Sequence, residues 1–272
     1  MKRARVFSRM EWVFTFVGLL LLLFILIPLV ATIFASSPDE FAEGVGDKGV
    51  LRSLWVTFLA AFIATVIALL LGVPLAYLMA RREFLGKSLI QGLIDLPIII
   101  PHTAAGVALL MVFGRRGLLG ETLASAGVYF TENLAGIVIA MLFVSLPLLV
   151  DTAQESFVSV DRRLEGVART LGAGPWSAFR RVTLPLAWRG IVAGSVLMWA
   201  RGISEFGAVV ILAYNPKTVS VLIYERFAGF GLSAALPVTA LLLILALLIL
   251  VLTRAVLLPR RKRERAGQGG RR

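Results

Sequence analysis

The 272-residue chain has no cysteine and a single histidine, His102. The first absence removes disulfides and thiolate metal sites, and with them any clue to redox compartment. The second excludes a multi-histidine metal centre. Charge is scarce as well: 16% of residues are Asp, Glu, Lys or Arg, against about 25% in soluble domains. Acidic residues are the rarer sign, 16 against 28 basic, for a net charge of +12. No paired-carboxylate site, nucleophilic triad or metal cluster stands out. What the chain has in excess is apolar, with 58% hydrophobic residues and a mean hydropathy of +0.89. One soluble core of this size does not absorb that excess.

The apolar residues lie in long runs. A bilayer core is about 30 Å thick and takes about 20 helical residues to cross. Six runs qualify, over about 12–34, 54–80, 89–113, 134–157, 188–213 and 236–258. The first is too long for a secretory signal and lacks a convincing cleavage site, so it reads as a retained span. The third carries Asp95, Pro97, Pro101 and His102, and the fifth carries Arg201 and Glu205. Hydrocarbon leaves open backbone groups unsatisfied, so helices are expected, and the alternating strands of a barrel are absent. The expected fold is all-α, one polytopic membrane domain over 1–272 with six transmembrane helices.

The charges then sort by side. Lys and Arg accumulate in cytoplasmic loops. The N-terminus, the connection at 81–87, the segment 161–189 and the tail 259–272 together hold 20 of the 28 basic residues, and the opposite side holds 6. Both termini are therefore expected in the cytoplasm. The basic excess reports orientation and a basic tail near lipid headgroups, so no nucleic-acid partner is expected.

Within the basic segment, residues 161–189 read DRRLEGVARTLGAGPWSAFRRVTLPLAWR. Asp161 suits a helix N-cap, and Leu164, Val167, Ala168 and Leu171 form an apolar stripe at helical spacing. Gly172 and Gly174 end that helix, and Pro175 suits the first position of a second. Trp176, Phe179 and Val182 give the second helix its apolar face, and Leu184-Pro185 is expected to end it. Such a pair either docks in a groove on a partner or lies on the membrane surface.

The spacing in this segment resembles the cytoplasmic signature of ABC importer permeases: Glu-Ala-Ala, three residues, Gly, nine residues, an aliphatic residue, any residue, Leu-Pro. Gly172, Val182, Leu184 and Pro185 stand in register with it, and Ala168 matches. Gly166-Val167 replace Glu-Ala, with Glu165 one residue earlier. The resemblance implies a plasma (inner) membrane permease of a prokaryote that pairs with a second copy as a homodimer. Two cytoplasmic ABC ATPase subunits would receive the 161–185 coupling loop through Glu165, Val167, Ala168, Leu171, Gly172, Trp176, Phe179, Val182, Leu184 and Pro185. It also implies an external substrate-binding protein. No cofactor is expected on this chain, ATP and Mg being held by the partner, and the permease is not itself an enzyme.

Further on, ARGISEFGAVVILAYNPK resembles oxyanion importer permeases, where a Gly/Ser-Glu-Phe-Gly-Ala stretch recurs. Molybdate and tungstate permeases match best, and sulfate or thiosulfate importers are the alternative. A secondary transporter driven by an ion gradient is a third reading on span count alone. Charged residues inside spans are costly and are functional candidates. Arg201 and Glu205, four apart, form either a structural ion pair or, with Ser204, His102 and Thr103, the lining of an anion path. Gly44, Gly46 and Gly49 fit G-x-G-x-x-G but follow no strand, so that stretch reads as a flexible outer loop.

Overall fold

The computed structural model of the chain describes residues 8–257, with side chains through Val251. The expectations for Lys2, Arg3, Arg5, Arg254 and the basic tail 259–272 lie outside these described side chains. Among the described residues the chain is helical, with no strand. It divides into two compact units, one of residues 8–51 with Ile223–Val251, the other Arg52–Leu222.

The first unit contains α1 (Arg9–Phe34), α2 (Pro38–Gly46) and α13 (Leu232–Leu257). Helix α1 is apolar all round and buries none of its residues, a pattern solvated by hydrocarbon rather than water. Its start is fixed by a capping box in which the Ser8 hydroxyl accepts from the Glu11 amide and the Glu11 carboxylate accepts from that of Ser8. The outer segment read as a flexible loop is instead helical. Ser37-Pro38-Asp39-Glu40 forms a second capping box with proline at the first helical position, which nucleates α2.

The second unit is built around α7 (Leu134–Ser159), which packs against α10 (Leu184–Ile203). Helix α3 (Lys48–Arg81) contributes Ala60, Ala61, Ala64 and Ala68, a stripe of small side chains that lets Ile137, Met141 and Met198 approach closely. Four of the buried or half-buried hydroxyls are satisfied within their own helices. Thr65, Thr152, Ser156 and Ser195 each donate to the carbonyl four residues back, at 2.7–2.8 Å. A smaller cluster of Ala76, Ala80, Ala153, Phe157 and Ala187 closes the end of the unit that holds Arg81.

Among the described residues, five helices are long and apolar enough to cross a membrane, or six if one bent pair is counted as a single span. The bent pair is the third run. In place of one helix over 89–113, the chain forms α4 (Lys87–Ile99) and α5 (His102–Phe113), 115° apart. The cause is local: Pro101 disfavours helical backbone at Ile100, whose ψ is 146°, and supplies no N–H.

The fifth run departs in two ways. Its helix begins at Pro175, because α9 (Pro175–Ala178), a π turn (Phe179–Thr183) and α10 form a continuous 29-residue helix. Leu184-Pro185 does not end the second short helix. The π turn widens the backbone so that the Leu184 amide bonds the Phe179 carbonyl, and Pro185, which has no N–H to offer, is accommodated. At the other end the run breaks at 204–206 before α11 (Gly207–Leu212). The remaining elements are α6 (Gly120–Ser125), α8 (Arg162–Thr170) and α12 (Val219–Phe230).

Candidate functional site

Two groups of sequence-predicted residues are brought together, each at an interruption of regular structure. The first is the segment from α8 to the π turn. Asp161 caps α8, its carboxylate accepting from the Arg163 amide at 2.9 Å. Gly172 has φ +87°, a left-handed cap that L side chains resist, while a Cβ there would meet nothing within 4 Å. Its role is therefore to turn the chain at the end of α8, where the sequence places the helix stop. Gly174 then caps α9 ahead of Pro175.

The apolar side chains of this segment divide. Leu164, Val167, Leu171 and Trp176 are exposed, with Leu171 83% and Trp176 71% accessible. Phe179 turns inward, edge-on to Tyr77 with centroids 4.8 Å apart, and stacks on Trp176 at 5.5 Å. Val182, Ala168 and Leu184 are half-buried and Pro185 is exposed. Glu165 also faces inward. Its Oε1 accepts from Arg81 Nε and from the Thr183 hydroxyl, both at 2.8 Å. Arg81 and Tyr77 were not singled out in the sequence, because they lie about 85 positions away on a helix with no period linking them to Glu165.

The second group sits where the two helix breaks meet. Ile99, Ile100, Pro101, His102, Thr103, Ser204, Phe206 and Gly207 line a cleft of about 510 Å³. A Cβ on Gly207 would lie 2.9 Å from the His102 Cβ, so only glycine lets the breaks touch. Glu205 is fully buried beside the cleft. Its Oε1 accepts from the Ala208 amide at 2.8 Å, and its Oε2 lies 3.0 Å from Arg201 Nη2 and 3.2 Å from His102 Nδ1. Arg201 also reaches the Ser204 hydroxyl at 3.3 Å. The Arg201–Glu205 pair is not formed along one helix: α10 ends at Ile203, and the carboxylate returns from the break. Only with the break in place does Glu205 reach both the arginine and the start of α11.

A scan of protein families matches the binding-protein-dependent transport system inner membrane component to residues 72–264. The chain belongs to this family. The matched range contains both groups of residues just described. The chain is 41% identical to the molybdate/tungstate transport system permease protein of Thermococcus kodakarensis, over 89% of this chain and 94% of that protein. It is 34% identical to the sulfate transport system permease protein of Escherichia coli, over 85% of each. The fold is shared with a bacterial ABC transporter involved in the import of alginate, with a TM-score of 0.73, 16% identity, and 92% and 96% of the two chains covered.

As an inner membrane component of a transport system, the chain is a part of a transporter, and its interest lies in surfaces and passages rather than catalytic groups. Among the described residues no cluster of three or more His, Asp or Glu is placed to hold a metal ion. One polar group inside the bundle escaped sequence reading. Gln91 on α4 donates from Nε2 to Asp151 on α7 at 2.9 Å and to Asp95 at 3.1 Å. The signal was present, since Gln91 and Asp95 are four apart on one helix, but their partner sixty residues on was not foreseeable from spacing.

Proposed function

We propose that this chain is the permease subunit of an ATP-driven importer of molybdate or tungstate, acting as a homodimer with two ABC ATPase subunits and an external oxyanion-binding protein. The observation that carries the substrate is the 41% identity, over nearly the whole of both chains, to a molybdate/tungstate permease. Identity to a sulfate permease is lower, at 34%, and makes sulfate the second reading. The coupling role is supported by α8, which buries no residue of its own and exposes Leu164, Val167 and Leu171 beside Trp176. An amphipathic face with large apolar anchors fits a groove on a cytoplasmic partner. ATP-driven closure of the ATPases moves that face and switches the spans between outward- and inward-facing states.

The cleft at the two helix breaks is the proposed oxyanion passage. His102, Thr103 and Ser204 supply donors along it. Arg201 contacts His102 and Ser204 of this lining with its charge balanced by Glu205, so a dianion meets a weakly attracting wall. Weak attraction suits transit, because conduction requires release as well as entry. Affinity then resides in the external binding protein. The basic end of the bundle, with Arg81 and Arg162, faces the cytoplasm in this reading.

The test is purification and reconstitution. The chain co-expressed with its ATPase is expected to copurify at one ATPase per permease. With the binding protein in liposomes it is expected to import radiolabelled tungstate and to be outcompeted poorly by sulfate. A permease that purifies without an ATPase, or imports sulfate in preference, overturns the corresponding half of the proposal. Trp176→Ala is expected to reduce copurification with no loss of permease stability.

A further inference from the structure

Helix α8 buries no residue fully, and among its apolar side chains only Ala168 is half-buried. Its polar attachment centres on one carboxylate. Glu165 Oε1 accepts at 2.8 Å from Arg81 Nε at the last turn of α3 and at 2.8 Å from Thr183 in the π turn. Its Oε2 lies 3.4 Å from the Tyr77 hydroxyl. The same arginine donates to the Val160 carbonyl at 3.1 Å, and Arg162 donates to the Ala80 carbonyl at 2.8 Å. The ion pair is largely withdrawn from water, with the side chains of Arg81 and Glu165 only 7% and 18% exposed. A pair this shielded is weakened far less by salt than one on the surface.

Tyr77 and Arg81 are four apart and so share a face of α3. The second docking helix reaches that same turn, through Trp176 stacked on Phe179 and Phe179 edge-on to Tyr77. Both docking helices thus converge on the end of α3, to which neither is joined by a short stretch of chain. Displacing α8 while α3 stays in place would strip a nearly buried guanidinium of its counter-charge, a costly state. The low-energy response is for the end of α3 to follow.

We infer that Glu165 is a positioning residue that hands the displacement of the coupling segment to α3, and that it is not a contact to the ATPase. This deepens the proposed function and rests on it. Helix α3 becomes a third receiver of the motion, beside α7 and α10, which are covalently continuous with the docking segment.

The experiment uses the full importer with its ATPase and binding protein in liposomes. Glu165→Gln keeps an acceptor for Thr183 and removes the charge. It is expected to copurify the ATPase at the wild-type ratio but to raise the ATP hydrolysed per tungstate imported by about fivefold or more. The exchange Glu165→Arg with Arg81→Glu is expected to bring that ratio back toward wild type. Because the chain has no cysteine, spin labels placed through cysteines at Leu78 on α3 and Gly166 on α8 report the joint alone. Their separation is expected to stay constant between nucleotide states in the wild type and to vary in Glu165→Gln. Loss of copurification in Glu165→Gln would make Glu165 an ATPase contact and overturn the inference. So would an unchanged ATP-to-tungstate ratio, a failure of the exchanged pair to restore coupling in an assembled complex, or a wild-type label separation that shifts between nucleotide states. A wild-type permease that binds no ATPase would instead count against the proposed function itself.

Discussion

Replacing Glu205 by glutamine removes one charge from the point where the two helix breaks meet and changes little else. The amide oxygen still accepts from the Ala208 amide, now made at 2.8 Å. What is lost is the negative partner of Arg201 Nη2 at 3.0 Å. At that separation and an effective dielectric near 20, the gross attraction is about 5 kcal/mol. Part of this is offset by the water that Arg201 retains, since its side chain is 25% exposed. A net loss of about 2 kcal/mol follows, below the 3–5 kcal/mol typical of breaking a fully buried pair. For a chain of this size that is a fall of roughly 4–8 °C in melting temperature. The assay is thermal unfolding of the detergent-solubilised permease followed by size-exclusion chromatography. Arg201→Gln combined with Glu205→Gln removes the stranded charge as well and is expected to recover at least half of the loss. In liposomes, the unbalanced Arg201 of Glu205→Gln should retain tungstate and slow import. If Glu205→Gln melts with the wild type and the double variant is no better, the carboxylate does not act as an internal counter-charge.

Other expectations are simpler to check. A Cβ on Gly190 would sit 1.6 Å from the Ser156 Oγ. Gly190→Ala should therefore force α7 and α10 apart and yield little monodisperse protein, while Gly166→Ala, with open space around it, should be tolerated and gain about 0.5–1 kcal/mol in helix propensity. Gly172→Ala should cost about 1 kcal/mol, read as a modest drop in melting temperature, because φ of +87° is strained for any residue with a Cβ. The Asp47 carboxyl is held below its ordinary value, first by the Gly49 amide and then by the Arg226 guanidinium. Its contribution is therefore fully present above pH 4 and is lost as pH falls through the lowered value. Arg226→Gln should move the lowered value back toward the ordinary one, so less stability is lost on acidification below about pH 4 than in the wild type, as followed by tryptophan fluorescence.

The legible part of this molecule was the part encoded by near neighbours. Unbroken apolar runs marked the helices, and Asp161, Gly172 and Pro175 marked the turn between α8 and α9. The capping box at Ser37–Glu40 was equally local and was passed over in favour of the glycines that follow it. Ile100-Pro101 carried the signal for the break in the third run, yet a proline inside an apolar stretch reads equally well as a kink. Pro185 misled in the other direction, because a π turn absorbs a proline that spacing alone treats as a stop. At the cleft, the identities of Arg201 and Glu205 were visible, but their geometry was not: the pair closes across a break rather than along a helix. The Glu165–Arg81 joint was illegible for a plainer reason, since tertiary packing alone brings α8 against the end of α3.

The uninterrupted helix from Pro175 to Ile203 has a mechanical consequence. At about 1.5 Å per residue its 29 residues make a rod roughly 40 Å long. Trp176 stands at one tip and Arg201 near the other. Pivoting such a rod by about 10° swings its far tip through roughly 7 Å, more than the width of a tetrahedral oxyanion. Its one soft joint, the π turn, lies within two turns of the tip at Trp176, so the long arm ends at the cleft. In the proposed function, a small rotation of the arm beyond the π turn would thus carry its cleft end through several ångströms, with leverage set by where the helix bends.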